Sequence, residues 1–366
     1  MARRILLLLV VLALAAPAAL AQSPAKAAQT PDGTWTFTVS GDSRNCGDVV
    51  MPAIAASAVG HKPVFYWHLG DLRAIYTFDE DMLHQPERKN APLTISGYLA
   101  QAWPDFIENQ IRPFASVPFF VGIGNHELVP PKTREEFIAQ FADWLNAPPI
   151  QQQRLKDNPR DHRVKTYYHW VDRGVDFIYL DNASPDQFDA EQMRWFDRVV
   201  KRISADSSIK TVVVGMHAAL PDSISIGHSM QQSPAGVESG RIVYKALLDL
   251  RDHAGKRVYV LASHSHFFMD GTFNTETWRK NGGVLPGWIV GTAGAVRYAL
   301  PPNAKDAKAA ETNVYGYLLG TVQPNGEISF EFHRVTEADT PAAVRDRYGT
   351  KFVHWCHAEN SQARQP

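Results

Sequence analysis

The feature that most constrains this chain is a rhythm: short apolar runs recur along it, and one after another stops at a side chain able to bind a metal ion. "TWTFTVS" (34–40) runs into Gly41 and Asp42, "VFYWHLG" (64–70) into Asp71, and "VPFFVGIG" (117–124) into Asn125 and His126. "IKTVVVGMH" (209–217) stops at His217, and "RVYVLASH" (257–264) at His264, with His266 two residues on. "VDFIYLD" (175–181) and "GWIVGTAG" (287–294) have the same strand-like make-up, rich in Val, Ile and aromatics and closed by Gly or Asp. Longer stretches with helical spacing of apolar residues lie between them, at 99–114, 134–146, 190–204 and 241–254. Strands alternating with helices predict an α/β domain. "YGYLLGTVQPNGEISFEFHRV" (315–335) predicts a hairpin turning at Pro324, Asn325 and Gly326, so the sheet is expected to be mixed.

Strand ends on the carboxyl side of such a sheet converge on one crevice, where open α/β folds bind ligands. Taken singly, each terminal residue has an ordinary use: Gly-Asp as a turn or helix cap, Gly-Asn as a turn, one histidine as a hydrogen-bonded core residue. Taken together they place seven polar groups at one crevice. Burying them unpaired costs roughly 2–7 kcal/mol for each neutral group and more for charge, and a bound divalent ion offsets that cost.

The N-terminus, "MARRILLLLVVLALAAPAALAQ", joins Arg3 and Arg4 to an apolar run and a small-residue ending. It reads as a signal peptide, residues 1–21, cleaved after Ala21; the alternative is an uncleaved membrane anchor, for which the apolar run is short. The expected destination is periplasmic or secreted, and a flexible lead-in follows at 22–33. The full chain of 366 residues is 45% hydrophobic and 20% charged, an ordinary globular make-up long enough for one large or two small domains. One domain is expected at 34–337, with a polar C-terminal tail at 338–366. The formal charge of −1 becomes about −3 once Arg3 and Arg4 are gone, which offers no general affinity for nucleic acid or anionic membrane. Two cysteines, Cys46 and Cys356, make one disulfide possible in an oxidising compartment, and the sequence leaves open whether they meet.

The ordered set "GD" (41–42), "GD" (70–71), "GNHE" (124–127), "GMH" (215–217) and "SHSH" (263–266) resembles the calcineurin-like binuclear metallophosphoesterases, which include the purple acid phosphatases. The resemblance spans roughly residues 35–335. It implies a four-layer sandwich of two mixed β-sheets flanked by helices, and two divalent or trivalent metal ions, with Mn, Fe, Zn or Co all suited to the donors. Asp71 would bridge the ions. Asp42 and His266 would complete the first ion's protein ligands, and Asn125, His217 and His264 would hold the second. The implied activity is hydrolysis of phosphate esters by a metal-activated hydroxide, most simply on monoesters. A phosphodiesterase on the same site and a non-catalytic binding protein on the same scaffold are the alternatives, and the oligomeric state is left open. His126, beside a ligand without being one, would donate a hydrogen bond or proton to the ester, with Glu127 orienting it.

Two positions depart from the family pattern. Many members carry a histidine two places after the first aspartate, where this chain has Arg44, and the last motif opens with Ser263 in place of glycine. Arg44 stays protonated and cannot ligate metal. Its two readings are a clamp on phosphate oxygens and a structural ion pair. Purple acid phosphatases use a tyrosine three places after the second aspartate; here that place holds Ala74, with Tyr76 two residues further, so a ferric–tyrosinate centre is not expected. The Ser- and Gly-rich stretch 220–236 reads either as a substrate loop presenting His228 or as a plain solvated loop.

Overall fold

Strand β1 (Trp35–Ser40) lies in the middle of a five-stranded sheet, parallel to β2 (Tyr66–His68), with β3 (Phe119–Val121) parallel beyond it. A second, seven-stranded sheet contains β4 (Tyr168–Asp172), β5 (Val175–Leu180), β6 (Thr211–Met216), β7 (Arg257–Ala262), β8 (Phe268–Asp270), β9 (Gly287–Val290) and β10 (Ala309–Glu311). Strands β11 (Tyr315–Val322) and β12 (Ile328–Val335) form the expected hairpin and return to the first sheet, giving it the order β12-β11-β1-β2-β3. In the second sheet the order is β10-β8-β9-β7-β6-β5-β4, with a parallel centre and antiparallel edges. This computed structural model describes residues 33–183 and 187–363, so the expected signal peptide and all but the last residue of the expected lead-in lie outside the described residues.

The two sheets pack face to face through aromatic side chains that alternate along the strands. Phe37 of β1, Trp67 of β2 and Phe120 of β3 meet Trp170 of β4 and Phe177 and Tyr179 of β5, with Phe120 stacked on Trp170 at 4.2 Å. Aromatic pairs in such offset and edge-on arrangements add to simple area burial. Helix Gly47–Val59 covers the outer face of the first sheet with Val50, Met51 and Ile54. On the outer face of the second sheet lie helices Ala190–Ala205 and Pro234–Asp252. In the first of these, Phe196, Val199 and Ile203 fall three and four apart on the buried face, and the Asp189 side chain caps the start by accepting from Glu191 N and Gln192 N. Helix, sheet, sheet and helix make the four layers expected from the sequence. Among the described residues, no helix is long and apolar enough to cross a membrane.

Several boundaries differ from the periodicity. The helix expected from 241 begins at Pro234, because Ser233 accepts from Gly236 N and proline is tolerated at the first helical position. The helix expected over 134–146 breaks at Phe141 into Arg134–Gln140 and Ala142–Leu145. Residues 342–360, read as tail, form helices Ala342–Tyr348 and Thr350–Trp355 and a final wide turn, Cys356–Asn360. They pack onto the domain rather than trailing from it: Phe352 stacks on His84 at 4.0 Å, and Tyr348 donates a hydrogen bond to Asp48. Cys356 is joined to Cys46 in a disulfide, answering the question the sequence left open.

Candidate metal centre

The carboxyl ends of β1, β2 and β3 from one sheet and of β6 and β7 from the other meet at a single place, which gathers Asp42, Asp71, Asn125, His126, His217, His264 and His266. Two of the loops share one construction. Asp42 and Asp71 both follow a glycine and both take left-handed backbone angles, φ 60° and 59°, which turn the chain sharply out of the strand. The loops are tied together by Asp42 N donating to Gly70 O and Ser43 N donating to Asp71 O. Close approach needs glycine at 124, where a Cβ would collide with the Asp71 carboxylate.

Around His217 the donor atoms face one another. Its Nδ1 lies 3.1 Å from the Leu69 carbonyl, which can only accept, so Nδ1 carries hydrogen and Nε2 points into the site. That Nε2 is 3.0 Å from Asn125 Oδ1 and 3.2 Å from Asp71 Oδ1. Three acceptors that close need a cation between them. Donors around an octahedral ion bound at about 2.1 Å stand about 3 Å apart, so the spacing suits a metal. His264 adds a fourth donor within the same cluster, its ring 4.7 Å from that of His217. The second oxygen of Asp71 is buried with no hydrogen-bond partner, as is one oxygen of Asp42. Without a metal, only a proton can fill the role. Burial opposes charge on His217, but Asp71 outweighs it and pushes the imidazole up to about 9. Asp71 is itself held well below the usual carboxylate range against its burial, by His126 and His217.

The other side of the centre is built differently. Asp42 Oδ2 accepts from His264 N at 2.7 Å, and Oδ1 lies 3.2 Å from His266 Nε2. Donor atoms of Asp42, Asp71 and His266 gather within 4.8 Å, as a metal would require. The same His266 Nε2, however, is 3.0 Å from Arg44 Nη2. Arg44 is 6% exposed and its Nη atoms also donate to the Tyr298 and Tyr76 hydroxyls, at 3.2 and 3.4 Å. No carboxylate pairs with it among the described residues.

His126 sits beside the cluster, with Nδ1 2.6 Å from the Ala74 carbonyl and Nε2 3.6 Å from Asp71 Oδ2. Burial lowers its basicity, with Asp71 pulling the other way. The role expected for Glu127 needs correction. Its carboxylate does not reach His126; it accepts the backbone N–H groups of Asp71, Leu72 and Gly124 at 2.8–2.9 Å and is fully buried doing so. Glu127 therefore joins the second aspartate loop to the asparagine loop. The Tyr76 hydroxyl accepts from Arg44 Nη1 at 3.4 Å and its ring lies 5.1 Å from that of His126, while Ala74 has no donor atom in its side chain. His228 does reach the site: its ring stacks on Tyr298 at 4.6 Å and lies 5.3 Å from that of His264. Tyr298 escaped the sequence reading, because a lone tyrosine eight residues past a strand end carries no local signal.

No family model matches the chain, and no curated protein matches it in sequence. Solved structures do. A purple acid phosphatase, PPD1, from yellow lupin (Lupinus luteus) seeds superposes with a TM-score of 0.55 at 15% identity, over 85% of this chain and 53% of the lupin chain. PhoD superposes with a TM-score of 0.51 at 14% identity, over 92% of this chain and 78% of PhoD. This chain thus spans about half the length of the lupin enzyme. At these identities the likeness shows the fold: the chain shares the two-sheet α/β architecture of these two structures.

Proposed function

We propose that this protein is a metal-dependent hydrolase of phosphate esters, acting most readily on monoesters. The observation that carries the reading is the facing set of acceptors at Asp71, Asn125, His217 and His264, which needs a cation and stands beside a cationic arginine and a histidine that is no part of the set. A metal held there would act as Lewis acid on the phosphoryl group and lower the pKa of a water nucleophile. The protein's own groups do the rest. Arg44 has N–H bonds left for phosphoryl oxygens after its three side-chain contacts. His126 Nε2 is placed to pass a proton to the leaving oxygen. Glu127 keeps Asp71 and Asn125 in register with each other.

The proposed location is outside the cytoplasm, periplasmic or secreted. The Cys46–Cys356 disulfide supports it, since such bonds persist in oxidising compartments, as does the leader-like N-terminus. The test of function is hydrolysis of an aryl phosphate monoester and the matching diester, before and after chelation. Faster turnover of the monoester, lost with the metal and restored by its return, is expected. Activity untouched by chelation refutes the metal-dependent reading, and preference for the diester refutes the monoester assignment.

A further inference from the structure

We infer that the centre holds one metal ion, on the Asp71, Asn125, His217 and His264 side, and that the Arg44 guanidinium stands where a second ion would otherwise bind. The inference rests on the metal-dependent reading above and corrects the pair of ions that the sequence motifs imply.

The decisive atom is His266 Nε2. Its partner nitrogen, Nδ1, is 2.6 Å from the Val296 carbonyl, an obligate acceptor, so Nδ1 bears the hydrogen and Nε2 the lone pair. Arg44 Nη2, an obligate donor, is 3.0 Å away and takes that lone pair. A metal ion cannot share it, and a guanidinium has no lone pair to offer a metal in return. Nor is Arg44 a loose side chain that happens to swing in. It is buried, its Nη atoms donate to Tyr76 and Tyr298, and the Tyr298 ring lies flat against His266 at 4.0 Å and 14°. Asp42 and Asp71 lie near enough to favour its charged form, but neither pairs with it. On the opposite side, no lysine or arginine hydrogen-bonds to Asp71, Asn125, His217 or His264 among the described residues, and their acceptor atoms remain turned towards one another. The result is a fixed cation on one side and an exchangeable one on the other.

Counting metal decides it. The purified full chain is loaded with Zn2+, freed of excess by gel filtration, and analysed for zinc per chain. The wild type is expected to hold one equivalent, and Asp42→Asn and His266→Ala to keep it, whereas His217→Ala loses it. Arg44→His, which removes the cation and supplies an imidazole donor, is expected to rise to two equivalents. Two equivalents in the wild type overturn the inference while leaving the metal-dependent reading intact, and none at all in the wild type overturns both. Loss of the ion in His266→Ala with retention in His217→Ala places it on the wrong side and also overturns the inference. So does an unchanged single equivalent in both Arg44→His and Arg44→Ala, because the arginine is then not what excludes the second ion.

Discussion

Two loops of this protein read Gly-Asp-x-Arg: 41–44 after β1 and 70–73 after β2. They leave parallel neighbouring strands through the same left-handed aspartate, and both arginines end up buried. Their surroundings are opposites. Arg73 is enclosed by carboxylates, donating to Asp48 at 2.5 Å, to Asp81 at 2.8 Å and to Asp105. Arg44 meets two hydroxyls and an imidazole and no carboxylate. A guanidinium saturated by anions is committed to holding the fold together, whereas one held by neutral groups keeps its charge available for an incoming anion. The same four-residue pattern thus ends in two different settings, and the difference lies in what the rest of the chain brings to each arginine.

The most severe way to test this contrast is to remove each cation in turn. Arg73→Ala leaves three carboxylates buried together, and we expect it to cost about 3–5 kcal/mol of folding stability, measured by denaturant unfolding. A loss under about 1 kcal/mol would mean that the cluster does not depend on its arginine. Arg44→Ala, assayed with a single equivalent of metal per chain, should lower kcat/KM roughly ten- to a hundredfold, the scale of a charge-assisted contact. Arg44→Lys should recover part of the loss, keeping charge without the planar fork. An unchanged kcat/KM in Arg44→Ala would make the two arginines alike after all.

Glu127→Gln sharpens the comparison at the junction between the loops. The amide turns N–H donors towards backbone N–H groups that now meet a carboxylate, so metal affinity should fall roughly 10- to 100-fold, read from competition with a chelator. Unaltered affinity would show that the three amide contacts do not hold the ligands in place. The smallest expected effect is a pH dependence in the Arg73 cluster. Burial raises Asp105 to about 7, with Arg73 pulling against it and Asp48 adding to it. A carboxyl raised in the folded state stabilises the fold fully below its unfolded value and loses that contribution as pH rises through the folded one. Stability should therefore decline between about pH 4 and 7 through this group, and Asp105→Asn should flatten that slope. An unchanged slope in Asp105→Asn would remove this residue from the account.

What the sequence made legible were the strands and what terminates them, because an apolar run with a liganding residue at its end is a local pattern. Asp42, Asp71, Asn125, His217, His264 and His266 could be named from such patterns, and the fold brings them together. Roles fixed by distant contacts stayed hidden. The amides that engage Glu127 include two from residues more than fifty positions away, and Arg73 gains its partners from Asp48, Asp81 and Asp105 on separate segments. Tyr298 meets Arg44 only because the turn after β9 carries it there. The C-terminal segment was misjudged for another reason. Its polar composition obscured buried residues at 348, 352, 353, 356 and 360, a helical stripe that was visible in the spacing.

The Cys46–Cys356 bond also sets a schedule. The loop carrying Arg44 emerges 310 residues ahead of the cysteine that fastens it, an interval of roughly 15–60 s at ordinary rates of synthesis. Through that time Cys46 has no partner of its own chain to meet. With only two cysteines in the sequence, no wrong pairing within one molecule is possible. The hazard is a neighbouring copy, so crowding of newly made chains, rather than shuffling within one, is what threatens this site's assembly.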